Sequence, residues 1–395
     1  MTPPTPRANR RALTFIFVTI LFDVLGAGIM MPVIPYIVRP YSANALTIGL
    51  LAVAYSAAQF FAAPLLGALS DRHGRRPVLV ISLFGASIGY ALFGVAGALW
   101  MFFVSRLVAG FTGGNLTAAQ AYIADVSTPD DRAKNFGLVG AAFGLGFILG
   151  PPLGGMLAKI SLTAPAWASA GVALTTSIFG WFVLPESLAP ALRRAHAVHL
   201  GDFNPFRLLR KAFSTPQLRG LFTAIFLSRT AHMALQTNFA IFALDRFKYT
   251  PTQTAVVFTV LGVASTVMQG FIIRRIAGRY SDRSMLLTGL IINMIGMVLI
   301  ATVPEGWMLS PAVIVLAVGT GLVTPTQQSM ISKAGSAEEQ GMLFGANGAV
   351  TSLTAIIGPA WAGLIFDRVS YTAPYWSGAV LITAAWVAVH RAVKE

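Results

Sequence analysis

The chain has 395 residues, 55% of them hydrophobic and only 11% charged, with a mean hydropathy of +0.71. Soluble domains carry about 25% charged residues, so most of this surface faces something other than water and the chain reads as polytopic in a membrane. The net charge of +14 sits in short connections between apolar runs, which argues against nucleic acid as a partner. With no cysteine, disulfides and thiolate metal sites are excluded.

A spanning helix needs roughly 20 mostly apolar residues. Twelve stretches meet that rule, near 12–38, 45–70, 76–97, 99–125, 132–158, 164–184, 217–244, 251–276, 284–303, 309–332, 340–366 and 372–391. The apolar run after Arg7, Arg10 and Arg11 is too long for a signal-peptide core, so an uncleaved first span is expected. The longest connection, 185–216, reads as a cytoplasmic linker between residues 1–184 and 217–395. Within it, Phe206 to Phe213 is basic and amphipathic and is expected on the membrane surface. Of the 28 Lys and Arg, 21 fall at the termini and in the even-numbered connections and five in the odd-numbered ones. The positive-inside rule then places both termini in the cytoplasm.

An internal repeat supports two six-helix halves. Gly67-Ala68-Leu69-Ser70-Asp71-Arg72 is answered by Gly278-Arg279-Tyr280-Ser281-Asp282-Arg283, 211 residues later. Gly150-Pro151 is answered by Gly358-Pro359, and Gln120 and Ile123 by Gln328 and Ile331, each 208 residues on. Transporters are often built from such related halves. The expected fold is an all-α membrane protein with twelve transmembrane helices in two pseudo-symmetric six-helix bundles around a central cavity.

Asp23 is the one carboxylate well inside a span, about 16 Å along the first helix at 1.5 Å per residue. Ionised acids are costly there, so it reads as a proton carrier, against the alternative of a structural acid permanently paired with a cation. Arg106 in the fourth span could pair with Asp23 or control its protonation, or serve as a scaffold arginine bonded to carbonyls. In the seventh span Arg229, His232 and Gln236 at i, i+3 and i+7 line one helical face, read as cavity-facing. His232 could be a second proton site; an interhelical hydrogen-bond cluster is the alternative. Gln59, Asn115, Gln120, Asn293 and Gln328 are candidate hydrogen-bonding groups for a substrate in a water-filled cavity.

These motifs, in order, resemble the major facilitator superfamily, and within it the twelve-helix drug:proton antiporters. Gly67, Asp71, Arg72, Gly74, Arg75 and Arg76 resemble its loop motif between the second and third helices. Arg106-Leu107-Val108-Ala109-Gly110 resembles its fourth-helix motif. Gly146, Gly150, Pro151, Gly154 and Gly155 resemble its antiporter motif, which implies a helix that prevents leak. The run Asp23 to Pro35 looks most like bacterial tetracycline-type exporters. Those exporters carry further acids in helices three and nine; here helix three has none past its basic start and helix nine offers Asn293. These departures count against an expectation of tetracycline–metal recognition and leave the fold and the antiporter class as the resemblance implies. The resemblance also implies a conformational latch in which Arg75 pairs with Asp125 and Asp71 caps the start of helix eleven, where the helix dipole favours an anion.

The function this predicts is proton-coupled export of small amphiphilic molecules or drugs by alternating access, from the bacterial inner membrane. A symporter or uniporter for a small organic anion or metabolite is the alternative. The chain has no phosphate-binding loop, no His-Glu-x-x-His and no nucleophile elbow, so no ATP use by this chain and no enzyme is expected. A sensing receptor on the same fold would be favoured by a long cytoplasmic tail, which is absent. The expected partners are a small-molecule substrate, protons and the lipid bilayer, with no cofactor and the protein as a monomer.

Overall fold

A computed structural model describes residues 6–113, 115–127, 131–188, 193, 213, 215–276, 278–335 and 337–392. The amphipathic stretch expected at 206–213 lies, except for Phe213, outside the described residues. Nine helices among those described are long and apolar enough to cross a membrane by length and composition. The other three expected spans are present as a broken helix, an interrupted helix and the last helix, giving an all-α fold with twelve spanning segments.

By contact the chain divides into two compact units, Met1–Ser42 with Ala54–His199, and Ala43–Val53 with Leu200–Glu395. The first unit holds α1 (Pro6–Met30), α2 (Ile34–Val38), most of α3 (Ala45–His73), α4 (Arg75–Gly94), α5 (Leu99–Thr112), α6 (Asn115–Val126), α7 (Arg132–Leu157) and α8 (Ala164–Val183). The first span breaks at residues 31–33 because Pro32 and Pro35 lack the N–H that a continuous helix uses. The fourth span breaks after Thr112 at Gly113, and Gln59 Nε2 donates to the freed Gly113 carbonyl at 2.7 Å.

The second unit holds α9 (Pro216–Met233), α10 (Phe239–Phe247), α11 (Pro251–Val267), α12 (Ile273–Ile276), α13 (Asp282–Thr302), α14 (Leu309–Lys333), α15 (Ala337–Arg368) and α16 (Ala373–Ala392). π turns at Ala234–Asn238 and Met268–Ile272 interrupt the seventh and eighth spans.

The same helix pairings recur in both units. In the first, α1 packs on α7 and α8, and α4 on α5 and α8. In the second, α9 packs on α15 and α16, and α13 on α14 and α16, which are the corresponding elements. Backbone approach is duplicated too. A Cβ on Gly89 of α4 would lie 2.8 Å from Ala109 Cβ on α5, and one on Gly296 of α13 would lie 2.8 Å from Leu316 Cα on α14, 207 residues further on at both ends. Small residues let membrane helices pack where no hydrophobic drive is available.

Inside the second unit, the first turn of α3 is held by α15. Asp367 Oδ1 accepts from the Ala45 amide at 2.9 Å and Oδ2 from the Leu46 amide at 2.8 Å. The carboxylate thereby satisfies two of the N–H groups that a helix start leaves open and meets the positive end of its dipole.

Candidate functional site

Asp23 lies on the stretch of α1 that α7 clasps. Cβ atoms on the α7 glycines would lie 2.6 Å from Val24 Cγ1 for Gly146 and 2.7 Å from Gly28 Cα for Gly150. Gly154 faces the Ile29 backbone in the same way, and Gly155 is buried beside it. The four-residue spacing puts one small-residue seam along α7, with Pro151 and Pro152 inside the helix. From the other side, Ser169 on α8 donates to the Gly26 carbonyl at 2.9 Å. The antiporter motif in this structure is the surface that fixes the helix bearing Asp23.

Arg106 on α5 is 8% exposed. Its guanidinium stands 4.6 Å from the Phe93 ring centroid and 5.8 Å from that of Tyr90, both on α4. Such stacking offsets part of the cost of burying the charge. Its Nε and Nη2 are buried without a hydrogen-bond partner. The charges of Asp23 and Arg106 both act on the hydroxyls of Tyr55 and Tyr90, so α1, α3, α4 and α5 bring these four side chains into one electrostatic cluster.

In the second unit, His232 is engaged at both ring nitrogens, Nδ1 at 2.9 Å from the Ser228 carbonyl and Nε2 at 2.7 Å from Thr320 Oγ1 on α14. Thr320 Oγ1 also lies 3.1 Å from Asn293 Oδ1 on α13. Gln327 Nε2 donates to Ser228 Oγ at 3.3 Å, closing a polar chain across three helices. Arg229, a turn earlier on α9, is half-buried with Nε lacking a partner. The expected face does not extend to Gln236, which is exposed within the π turn, because a π turn resets the helical register after Met233. Gln120 and Gln328 are likewise exposed, and the side chain of Asn115 lies outside the described residues.

At the loop motif, Arg75 donates from Nε to Asp125 Oδ2 at 3.1 Å and from Nη1 to Ser70 Oγ at 2.7 Å and to Asp71 Oδ1. Ser187 donates to the same Asp125 oxygen at 3.0 Å. Gly74 has φ of 106°, a conformation only glycine adopts freely, and it starts α4. Arg72 is exposed, and a Cβ on Gly67 would meet nothing within 4 Å.

Four groups in these sites escaped the sequence reading. Glu186 accepts from the Arg75 amide at 2.8 Å and the Arg76 amide at 3.3 Å, capping α4 from 111 residues away. No local pattern announces a cap at that separation. Lys333 meets Asp282 Oδ2 at 2.8 Å, beside Ser329 at 2.8 Å on the same oxygen. It stands 208 residues after Asp125, so the repeat marks the position. Thr320 and Gln327 are polar residues on α14 that the reading passed over in favour of Gln328.

The sequence model of the Major Facilitator Superfamily matches residues 16–281 and 221–394. The chain is 36% identical over 380 residues to the class C tetracycline resistance protein of Escherichia coli, covering 95% of this chain and 94% of that one. It is 34% identical over 371 residues to the class G tetracycline resistance protein of Vibrio anguillarum, covering 92% and 91%. Among solved structures it is similar to the human organic anion transporter MFSD10 (TETRAN), with a TM-score of 0.74, 25% identity, and 98% of this chain and 100% of that chain covered. The duplicated helix pairs, the loop motif and the glycine seam thus have a common origin: the protein belongs to the major facilitator superfamily, and it is an integral membrane transporter rather than an enzyme.

Proposed function

We propose that the protein is a proton-coupled exporter of small amphiphilic molecules or drugs, working by alternating access in a bacterial cytoplasmic membrane with both termini inside the cell. Asp23 carries the proton. The observation that supports this most is placement: among the described residues it is the one carboxylate more than one turn from either end of a candidate span. The helix that bears it is held by the glycine seam of α7, and relatives at 36% and 34% identity are named for tetracycline resistance. Residues 1–184 and 217–395 act as the two bundles and 185–216 as their linker. Arg75, Asp71 and Asp125 serve as a cytoplasmic latch whose ion pairs break and re-form during the cycle. The protein acts as a monomer.

A second reading, carriage of a small organic anion, is favoured by one feature. Arg106 keeps two buried guanidinium donors without partners, and the human structural relative is named as an organic anion transporter. Proton movement in proteoliposomes, followed with a pH-sensitive dye under a panel of cationic, zwitterionic and anionic compounds, separates the two. Export predicts substrate-dependent dissipation of an imposed proton gradient that Asp23→Asn abolishes while insertion is kept. Full proton-coupled transport by Asp23→Asn would remove the assignment, and coupling to anions alone would install the second reading.

A further inference from the structure

The second unit has no carboxylate within its spans to match Asp23. Its described acids, Asp245, Asp282, Glu305, Glu338, Glu339 and Asp367, all stand at helix ends or in connections. His232 is the group deep in a helix there whose side-chain type changes charge near neutral pH, and its surroundings constrain where its protons can be. The Ser228 carbonyl, 2.9 Å from Nδ1, can only accept, so Nδ1 carries a hydrogen in both protonation states.

What changes is the other nitrogen. When the ring is neutral, Nε2 is a lone pair and must accept the single hydroxyl proton of Thr320, 2.7 Å away. Thr320 then has no proton for Asn293, and the Asn293 amide must present its NH2 to the hydroxyl oxygen. When the ring is charged, Nε2 donates to Thr320. The hydroxyl proton then turns to Asn293 Oδ1 at 3.1 Å, with the Leu316 carbonyl at 2.9 Å as its competitor. With Oδ1 toward Thr320, Asn293 Nδ2 is buried and without a partner. The two orientations of this one amide therefore correspond to two protonation states of a ring one residue removed from it.

The amide sits at a close approach of α13 and α14. Asn293 is fully buried, and a Cβ on Gly319 of α14 would lie 2.6 Å from both its backbone N and its Oδ1. Arg229, on the same helix as His232, is the charge that acts on the ring. The neighbouring stretches 284–302 of α13, 309–332 of α14, 342–366 of α15 and 373–389 of α16 contain no Asp, Glu, Lys, Arg or His. Their one titratable side chain is the buried Tyr375 on α16.

We propose that His232, Thr320 and Asn293 form a proton-responsive relay: a proton taken up at His232 Nε2 reverses the Thr320 hydroxyl and turns over the Asn293 amide, so that the α9–α14–α13 junction reports the charge of the ring. No covalent bond changes besides the N–H formed at Nε2; the Thr320 proton stays on its oxygen and points the other way. The relay does not depend on Asp23 being the proton carrier.

Nitrogen-15 NMR of the histidine side chains in the full-length protein in nanodiscs tests it, with His232→Gln assigning the signal. The neutral ring should be the Nδ1–H tautomer. Asn293→Asp places an acceptor-only group at the end of the chain, which favours the charged arrangement and should raise the proton affinity of His232 about tenfold or more. That response should fall by at least half in a Thr320→Val background and survive in Thr320→Ser, which keeps the hydroxyl. An Nε2–H tautomer, an unchanged titration in Asn293→Asp, or an equal response in the Thr320→Val background would each overturn the relay. The last outcome would reveal a through-space charge effect.

Discussion

Lys333 closes on Asp282 at 2.8 Å at the position, 208 residues further on, where Asp125 closes on Arg75 at 3.1 Å. An ion pair at the start of a helix is thus built twice, with both signs exchanged the second time. The two pairs differ in shielding. Arg75 and Asp125 side chains are 10% and 23% exposed, whereas Lys333 is 71% exposed. Asp125→Asn removes the more shielded contact while Arg75 keeps Asp71 and Ser70, at a cost of about 1–2 kcal/mol. Lys333→Gln should cost no more than about 0.5 kcal/mol. Thermal unfolding of Asp125→Asn and Lys333→Gln in the same detergent checks the ranking.

The seam between α1 and α7 has no space for a branched side chain. Gly150→Leu should force the helices apart, lowering stability by about 2–3 kcal/mol and abolishing transport. Gly140, on the same helix, has nothing within 4 Å of a Cβ position. Gly140→Ala should leave stability unchanged or slightly raised, since alanine favours the helix by up to about 1 kcal/mol. Melting temperatures of the two variants, read with transport, make the comparison.

Glu186 holds the first amides of α4 while Arg75, the first residue of that helix, holds Asp125. Glu186→Gln keeps the shape and loses the charge, and should cost about 1 kcal/mol. A loss confined to α4 protection in hydrogen exchange, with α8 unchanged, would show the cap as the cause.

Asp367 makes the same kind of contact with the start of α3. Asp367→Ala should speed hydrogen exchange of the Ala45 and Leu46 amides by about five- to tenfold, corresponding to a loss near 1 kcal/mol. Unaltered exchange at those two amides would mean that water replaces the carboxylate without cost.

The spans, the repeat and the glycine seam were legible because each rests on composition or on a spacing that membrane packing imposes. Asp23 stood out for the same reason, as a charge where charges are expensive. The hydrogen-bonding partners were less so. Gln327 and Gln328 are adjacent, and a helix separates adjacent side chains by about 100°, so Gln327 joins Ser228 while Gln328, the candidate cavity group, is exposed on another side of the helix. Gln59, a candidate cavity group, donates to the Gly113 carbonyl at the break in the fourth span, a contact no local pattern marks. Lys333 was hidden by its sign. A search for a second Asp125 passes over a lysine, although the position is the same.

The two π turns, Ala234–Asn238 and Met268–Ile272, each fit an extra residue into a helix without lengthening it. A gene that lost one codon in either stretch would encode a shorter chain with the same membrane thickness spanned and the flanking turns brought into ordinary α register. These ten positions are therefore where the seventh and eighth spans can absorb a single-residue deletion, while the same loss in the glycine seam of α7 would throw every later side chain about 100° off its partner.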